Sequence, residues 1–527
     1  MYVPDMLDFI AELYENGEIG KIRNVMEIGA QEVFATNMEQ CVERFIKAFH
    51  PNARITKDCL TALSFGTARE LYRFVGCNYC CTDVIKDPDN RFNRLLFDIN
   101  LDQVASIYQN KFDLVTNLGV SQHVLNQLNA FKAVHEFTTP GGYMLHYLPF
   151  TGRYDDLYFY YQPVYFEHLA KSNKYDHIGT WLYLTGDHLS SRSRVRWDVR
   201  LWEFIKFPLH LTNKYHVLAV LFRKTEDSSF RQPSPQGFPE ENPGLTLSPA
   251  FFRLIDRTIS SNIPERPIRV LTLGRAATSI GEDWADVAAI TKEFLTPESI
   301  SLPDGEHSAY LGSTIKLDED GNFLFKHPGK RFHVICNFGA SQRFIDQLGF
   351  YRFIHQIVEP EGFMVHVVPF LGYSGRGYFN YELSFFGELA YVNDYVAVWT
   401  GLLLPEGLIT LHDEIFNHLR ISPARHWEPL WVCVLLRKRF DREFLTPFQG
   451  FYKSIRDEAI GRHYQILRNN VFLPDDPEPW VRLSERMRAV SEKYQKVVSP
   501  PAVFSNEDFN RLAVIRKQSW EIKRKTR

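Results

Sequence analysis

The chain says nearly the same thing twice. FDLVTNLGVSQHVLNQL begins at Phe112, and FHVICNFGASQRFIDQL begins at Phe332. Aligned without a gap over residues 112–152 and 332–372, 15 of 41 positions are identical, among them Asn117/Asn337, His135/His355 and His146/His366. Most other pairs exchange one apolar residue for another. VMEIGAQ (25–31) answers VLTLGRA (270–276), VLAVLFRK (217–224) answers VCVLLRKR (432–439), and SPQG (234–237) answers PFQG (447–450). A repeat this long admits only a fold that can be built twice, so the 527 residues read as two large units. The first is expected at 1–225, a linker at 226–268, the second unit at 269–450 and a helical extension at 451–527. The linker is rich in Pro, Ser and charge, and is expected to wrap the first unit before the second begins.

Within the first unit, short apolar runs alternate with helical patterns. Strands are expected at 24–30, 78–85, 94–100, 112–119, 143–150 and 214–224, with helices over 66–76 and 121–138. This alternation predicts an α/β fold, a mostly parallel sheet with helices on its faces. Such sheets bind ligands beyond the carboxyl ends of their strands, where the strand order reverses. The residues expected there are Glu27, Gly29 and Gln31 after strand one, Asp83 after strand two and Asp98 after strand three. Asn117, Leu118 and Gly119 end strand four, and Gln122 and His123 follow. A carboxylate after strand two can accept two hydrogen bonds from a ribose diol. Asp98 can accept from an exocyclic amine such as that of adenine. Gly29 lets a ligand approach the backbone, and the helix expected after it offers N–H groups to a carboxylate.

The order of these elements resembles the class I S-adenosylmethionine-dependent methyltransferases, small-molecule type. Gln122-His123-Val124 stands where one group of that family carries EHV, and Thr139-Pro140-Gly141-Gly142 stands where it carries kPGG. The resemblance covers residues 20–225 and implies two tandem Rossmann-like domains whose last strand is antiparallel. It implies S-adenosyl-L-methionine as cofactor, with Glu27, Gly29 and Gln31 flanking the methionine part. Asp83 would hold the ribose, Asp98 the adenine, and Asn117, Leu118 and Gly119 would line the floor. Two departures stand out: the first motif has one glycine, followed by Ala30 and Gln31, and Gln122 replaces the usual Glu.

The second copy changes the letters that would touch a cofactor. Glu27 is answered by Thr272, Gln31 by Ala276, His123 by Arg343 and Gly141 by Glu361. From the first-strand Gly to the fourth-strand Gly, copy one spans 90 residues and copy two spans 65, and the missing part is the one that carries Asp83 and Asp98. The second unit is therefore expected to keep the fold and to have lost the cofactor. His146 and His366 occur in both copies and are read as structural. The candidate catalytic residues are His123 and Asp155. Each has a plainer reading, as a helix-start side chain and as a loop turn. Tyr154, Tyr158, Phe159, Tyr160 and Tyr161 are either core or an aromatic wall for a methyl acceptor.

Bulk properties narrow the partners. With 45% apolar and 23% charged residues the chain is not a disordered one, and a net charge of −3 supplies no basic field for nucleic acid. No run approaches the roughly 18 apolar residues of a membrane span, and the acidic start MYVPDMLDF has no basic leader pattern. Seven unevenly spread Cys suit a reducing cytoplasm, and CNYCC (77–81) lacks the second pair a metal knuckle needs. The expected partner is a small-molecule methyl acceptor, with no nucleic acid, metal or membrane; an oligomer is open. One rival reading makes both units non-catalytic interaction modules. Another keeps the fold with a different nucleotide.

Overall fold

The computed structural model describes residues 4–33, 38–84, 91–151, 157–184, 193–197, 216–233, 331–371, 377–404, 407–410 and 430–447, with short pieces between 246 and 325. The first lobe contains β1 (Asn24–Ile28), β2 (Asn78–Asp83), β3 (Arg94–Leu96), β4 (Phe112–Leu118) and β5 (Thr138–Thr151). β6 (Phe159–Tyr161), β7 (Asp176–Leu184), β8 (Ser193–Arg196) and β9 (His216–Arg223) follow. Along β9, Val217, Ala219 and Leu221 join one buried cluster while Leu218, Val220 and Phe222 join another. A strand apolar on both faces must lie inside a covered sheet. It does: the order is β3-β2-β1-β4-β5-β9-β7-β8, parallel from β3 to β5, with β9 antiparallel between β5 and β7. This is the Rossmann-like order of the class I methyltransferase fold.

Helices cover both faces. Phe9 of α1 (Pro4–Glu15), Phe45 of α2 (Met38–Phe49), Leu63 of α3 (Lys57–Ser64) and Tyr72 of α4 (Ala68–Phe74) pack on one face. Phe131 of α5 (Gln127–Phe137) and Phe166 of α6 (Pro163–Asn173) pack on the other. α4 opens with a reciprocal cap, in which Thr67 Oγ1 accepts from Glu70 N and the Glu70 carboxylate accepts from Thr67 N.

The single helix expected over 121–138 is divided. Ser121–His123 forms one 3-10 turn, Val124 is extended, and α5 starts after Asn126, whose side chain accepts from Asn129 N at 3.0 Å. The Gln127 amide nitrogen donates to the carbonyls of Ser121 and Val124, both at 2.6 Å, so side chains satisfy the bonds a continuous helix would have made. Gln347 makes the same pair with Ser341 and Phe344 at 2.7 and 2.6 Å.

The second lobe contains β10 (Val270–Leu273), β11 (Glu298–Ile300), β12 (Phe332–Phe338), α7 (Gln347–Ile357) and β13 (Val358–Leu371). β14 (Phe379–Tyr381), α8 (Leu383–Val392), β15 (Tyr395–Leu404), β16 (Gly407–Thr410) and β17 (Leu430–Lys438) follow. Its sheet runs β11-β10-β12-β13-β17-β15-β16, the order of the first sheet without a described counterpart of β3. Register repeats as well: Asn117 lies beside His146, and Asn337 beside His366.

After β9 the chain folds back along the first lobe. Ser228 O meets His135 Nε2 at 2.6 Å, and Asn173 exchanges two bonds with the Arg231 backbone at 2.7 and 2.9 Å. Arg442, Leu445, His355 and Asn393 repeat this in the second lobe. The rest of the linker beyond these contacts, and the extension at 451–527, lie largely or wholly outside the described residues.

Candidate active site at the carboxyl edge of the first sheet

β1 lies between β2 and β4, and register places Ile28 beside both Thr82 and Asn117. Gly29 and Asp83 therefore follow at one level, with Gly119 one residue further along, at the edge where strand order reverses. Gly29 has φ +79° and Gly119 φ +73°, a left-handed backbone that a side chain disfavours. A Cβ on Gly29 would lie 2.6 Å from Val120 Cγ2, so the two turns are in direct contact. Gly29 N donates to Thr82 Oγ1 at 3.3 Å, and Gln31 Nε2 donates to Leu118 O at 3.3 Å.

The chain does not enter a helix directly after Gly29. Residues 31–33 instead reach across to the start of α4, where Ala68 N donates to Gln31 O, Val33 N donates to Gly66 O, and Glu32 bridges Thr67. The next described helix is α2, from Met38. The helix N-terminus expected to face a ligand carboxylate is thus not next to Gly29, because α4 has taken the backbone groups of this segment.

The remaining candidates fall into different settings. Glu27 is fully buried, accepting from Tyr79 Oη and from Thr116 Oγ1 at 3.4 Å. Burial, then the Glu27 carboxylate, push the Tyr79 phenol well above its usual range, so it stays a donor. Asp83 is partly exposed at the end of β2, and its carboxylate lies 3.7 Å from Arg94 Nε, whose guanidinium stacks 4.3 Å from the Phe92 ring. Asp98 closes a local turn: its Oδ1 accepts from Asn100 N at 2.9 Å, and its N donates to Asp102 Oδ2 at 2.7 Å. Asn117 is buried, donating to Ser121 Oγ at 2.9 Å and lying 3.3 Å from His146 Nδ1. Asn337, Ser341 and His366 repeat those distances, which assigns the trio to the fold.

His123 lies on the 3-10 turn after Gly119, half-buried, with Nε2 3.0 Å from Gln122 Nε2. Arg343, which answers His123, is buried. Asp155 and Tyr154 lie outside the described residues. Tyr158, Phe159, Tyr160 and Tyr161 are fully buried, so the core reading of these rings holds. Among the CNYCC thiols, Cys77 and Cys81 each donate to a main-chain carbonyl at 3.6 Å, and burial pushes the Cys77 thiol up to about 11.

Sequence reasoning missed Thr82, Arg94 and Val120. Each sits one to a few residues from a strand end, but only the parallel register brings all three to the same edge. No described helix is long and apolar enough to cross a membrane.

No family model matches the chain, and no curated protein matches it. Among solved structures, it is similar to a SAM-dependent methyltransferase from Archaeoglobus fulgidus, at 12% identity over 42% of this chain and 95% of that one, with a TM-score of 0.25. It is similar to the N-methyltransferase NodS from Bradyrhizobium japonicum in complex with S-adenosyl-L-homocysteine, at 11% identity over 42% and 87%, TM-score 0.21. It is also similar to Haemonchus contortus phosphoethanolamine N-methyltransferase 1, at 11% identity over 82% and 92%, TM-score 0.22. At these scores the fold rests on the strand order and register given above.

Proposed function

We propose that the first lobe binds S-adenosyl-L-methionine across the carboxyl ends of β1, β2 and β4 and directs methyl transfer to a small-molecule acceptor. The observation that carries this is the convergence of Gly29, Asp83 and Gly119 at the reversal point of the sheet, with both glycines in the left-handed region. Asp83, partly exposed, is the group suited to the ribose diol. The Gly29–Gln31 and Leu118–Gly119 backbones are the surfaces suited to the rest of the nucleoside. Glu27 acts one layer below, holding Tyr79 and Thr116 and so the position of β1.

The cofactor supplies an electrophilic sulfonium methyl. The protein's share is orientation, which contributes about 7–11 kcal/mol in well-aligned reactions. His123, half-buried on the turn after Gly119, is the described group suited to take a proton from an acceptor. Asp155 is the second candidate for that role. The second lobe, whose Thr272 replaces Glu27 and whose Arg343 replaces His123, has a structural role in this reading.

One set of observations favours a non-catalytic binding protein: Glu27, Gln31 and Asp98 all spend side-chain bonds inside the lobe. Calorimetric titration of the intact chain with S-adenosylhomocysteine, beside Asp83→Ala, separates the two. Binding that is lost in the variant supports the enzyme. No binding by the correctly folded wild type rejects it and leaves the scaffold.

A further inference from the structure

The lobes meet through equivalent segments. β6 pairs antiparallel with β14, Phe159 opposite Tyr381, Tyr160 opposite Asn380 and Tyr161 opposite Phe379. These positions are related by the repeat, so the contact has the form of a two-fold dimer inside one chain. Gln162 N donates to Tyr378 O, and its counterpart Glu382 N donates to Tyr158 O, both at 2.9 Å.

Each segment also grips its own lobe. Tyr158 N donates to Gln122 O at 2.8 Å, and Tyr161 Oη donates to Gln127 Oε1 at 2.7 Å and lies 2.9 Å from Ser121 Oγ. The gripped stretch is the divided turn that carries Gln122 and His123. On its other side the strap is held by the second lobe. Tyr158 Oη donates to the Glu388 carboxylate, Tyr160 Oη to Glu382 Oε2 at 2.7 Å, and Ser384 Oγ to Leu157 O at 2.6 Å.

The symmetry is broken in one direction. The second lobe supplies two carboxylates, Glu388 and Glu382, where the first has His168 and Gln162. The first lobe supplies Tyr160 where the second has Asn380. In the reverse sense Tyr378 Oη lies 3.1 Å from His168 Nδ1. Hydrogen bonds to ionised acceptors are about twice as strong as neutral ones. The stronger set therefore anchors the strap of the lobe that retains Asp83 and His123.

We propose that the second lobe is a dedicated positioning partner of the first: Glu388 and Glu382 hold the Leu157–Tyr161 strap, and the strap sets the Ser121–Gln127 turn of the candidate site. The link to catalysis rests on the methyltransferase reading; the mechanical coupling does not. The test uses the full chain carrying Glu388→Ala and Glu382→Ala together, with hydrogen exchange read by mass spectrometry. Exchange is expected to rise about tenfold or more over both 157–161 and 119–127, as expected for losing bonds to charged acceptors, while β1 and β4 stay protected. A loosened strap over an unchanged 119–127 overturns the proposal, as does no change in either. If the alanine pair loosens the whole lobe, Glu388→Gln with Glu382→Gln decides by the same comparison. Where the wild type binds S-adenosylhomocysteine, the variant is expected to bind it more weakly, and equal affinity overturns the positioning role. A wild type that binds none rejects the methyltransferase reading alone, since the exchange arm still reports the coupling.

Discussion

Gly29 combines two constraints at one residue. Its φ of +79° costs an L-residue about 1–2 kcal/mol, and a Cβ would press on Val120 at 2.6 Å. Gly29→Ala is expected to lower unfolding free energy by at least that backbone cost, measured by urea denaturation. Adding Val120→Ala should recover the steric part and leave the backbone part, so full recovery would refute the left-handed strain. Tyr79 and Glu27 are coupled differently, by a bond inside the lobe. Tyr79→Phe leaves a buried carboxylate short of one donor, at a cost of about 1.5–3 kcal/mol. A change below 0.5 kcal/mol (roughly the scatter expected of a neutral surface substitution) would mean that the bond contributes little.

At the scale of elements, the histidines common to both copies act as clamps between helix, strand and returning chain. His135 Nδ1 meets Tyr175 Oη at 2.7 Å while its Nε2 meets Ser228 O, and His355 does the same with Tyr395 and Arg442 O. Burial is the main cause that lowers both rings to about 4, and it lowers His146 and His366 to about 3. These folded values lie below the unfolded value near 6.5. Between the two, the unfolded chain takes up protons that the folded chain refuses. Their contribution is therefore complete above pH 6.5 and is lost progressively as pH falls, toward 4 for His135 and His355 and toward 3 for His146 and His366, with a limiting slope of about 1.4 kcal/mol per pH unit for each ring. The urea midpoint is expected to fall over that window, and His135→Gln to flatten the fall. A midpoint independent of pH there would contradict the buried neutral rings.

At the scale of the molecule, one apolar cluster runs from Met26 and Val115 through Phe159 and Tyr161 to Phe379, Phe385 and Val434. The lobes share a core, and β6 has its edge covered by β14. A chain ending at residue 268 would expose that edge and the rings of Tyr158, Tyr161 and Tyr165. Open edges and large apolar patches drive association. Sedimentation of the truncated chain is expected to show dimers or larger species. A stable, cooperatively folding monomer would show that the first lobe does not need its partner.

The alternation of apolar runs and helical patterns placed six of the nine described strands of the first lobe and missed β6, β7 and β8; the placed ones stand out because burial on both faces leaves unbroken Val, Leu and Phe runs such as that of β9. It also located Gly29, Asp83, Asp98 and Gly119 near strand ends, since such residues stand out where an apolar run stops. Which neighbours those side chains meet was not legible, because each neighbour lies far along the chain. Glu27 meets Tyr79, Asp83 meets Arg94 and Gly29 meets Val120 only once parallel register has aligned the strands. The division of the 121–138 helix was hidden for a related reason. The apolar period is continuous there, and Gln127 competes for the carbonyls through its side chain. The sequence by itself determined that one pattern of residues is written twice and that the second copy differs at the positions answering Glu27, Gln31 and His123. The tertiary structure alone decided that the two copies turn equivalent aromatic straps toward each other. A β edge and a set of buried tyrosines have no stable place in either copy until the other covers them.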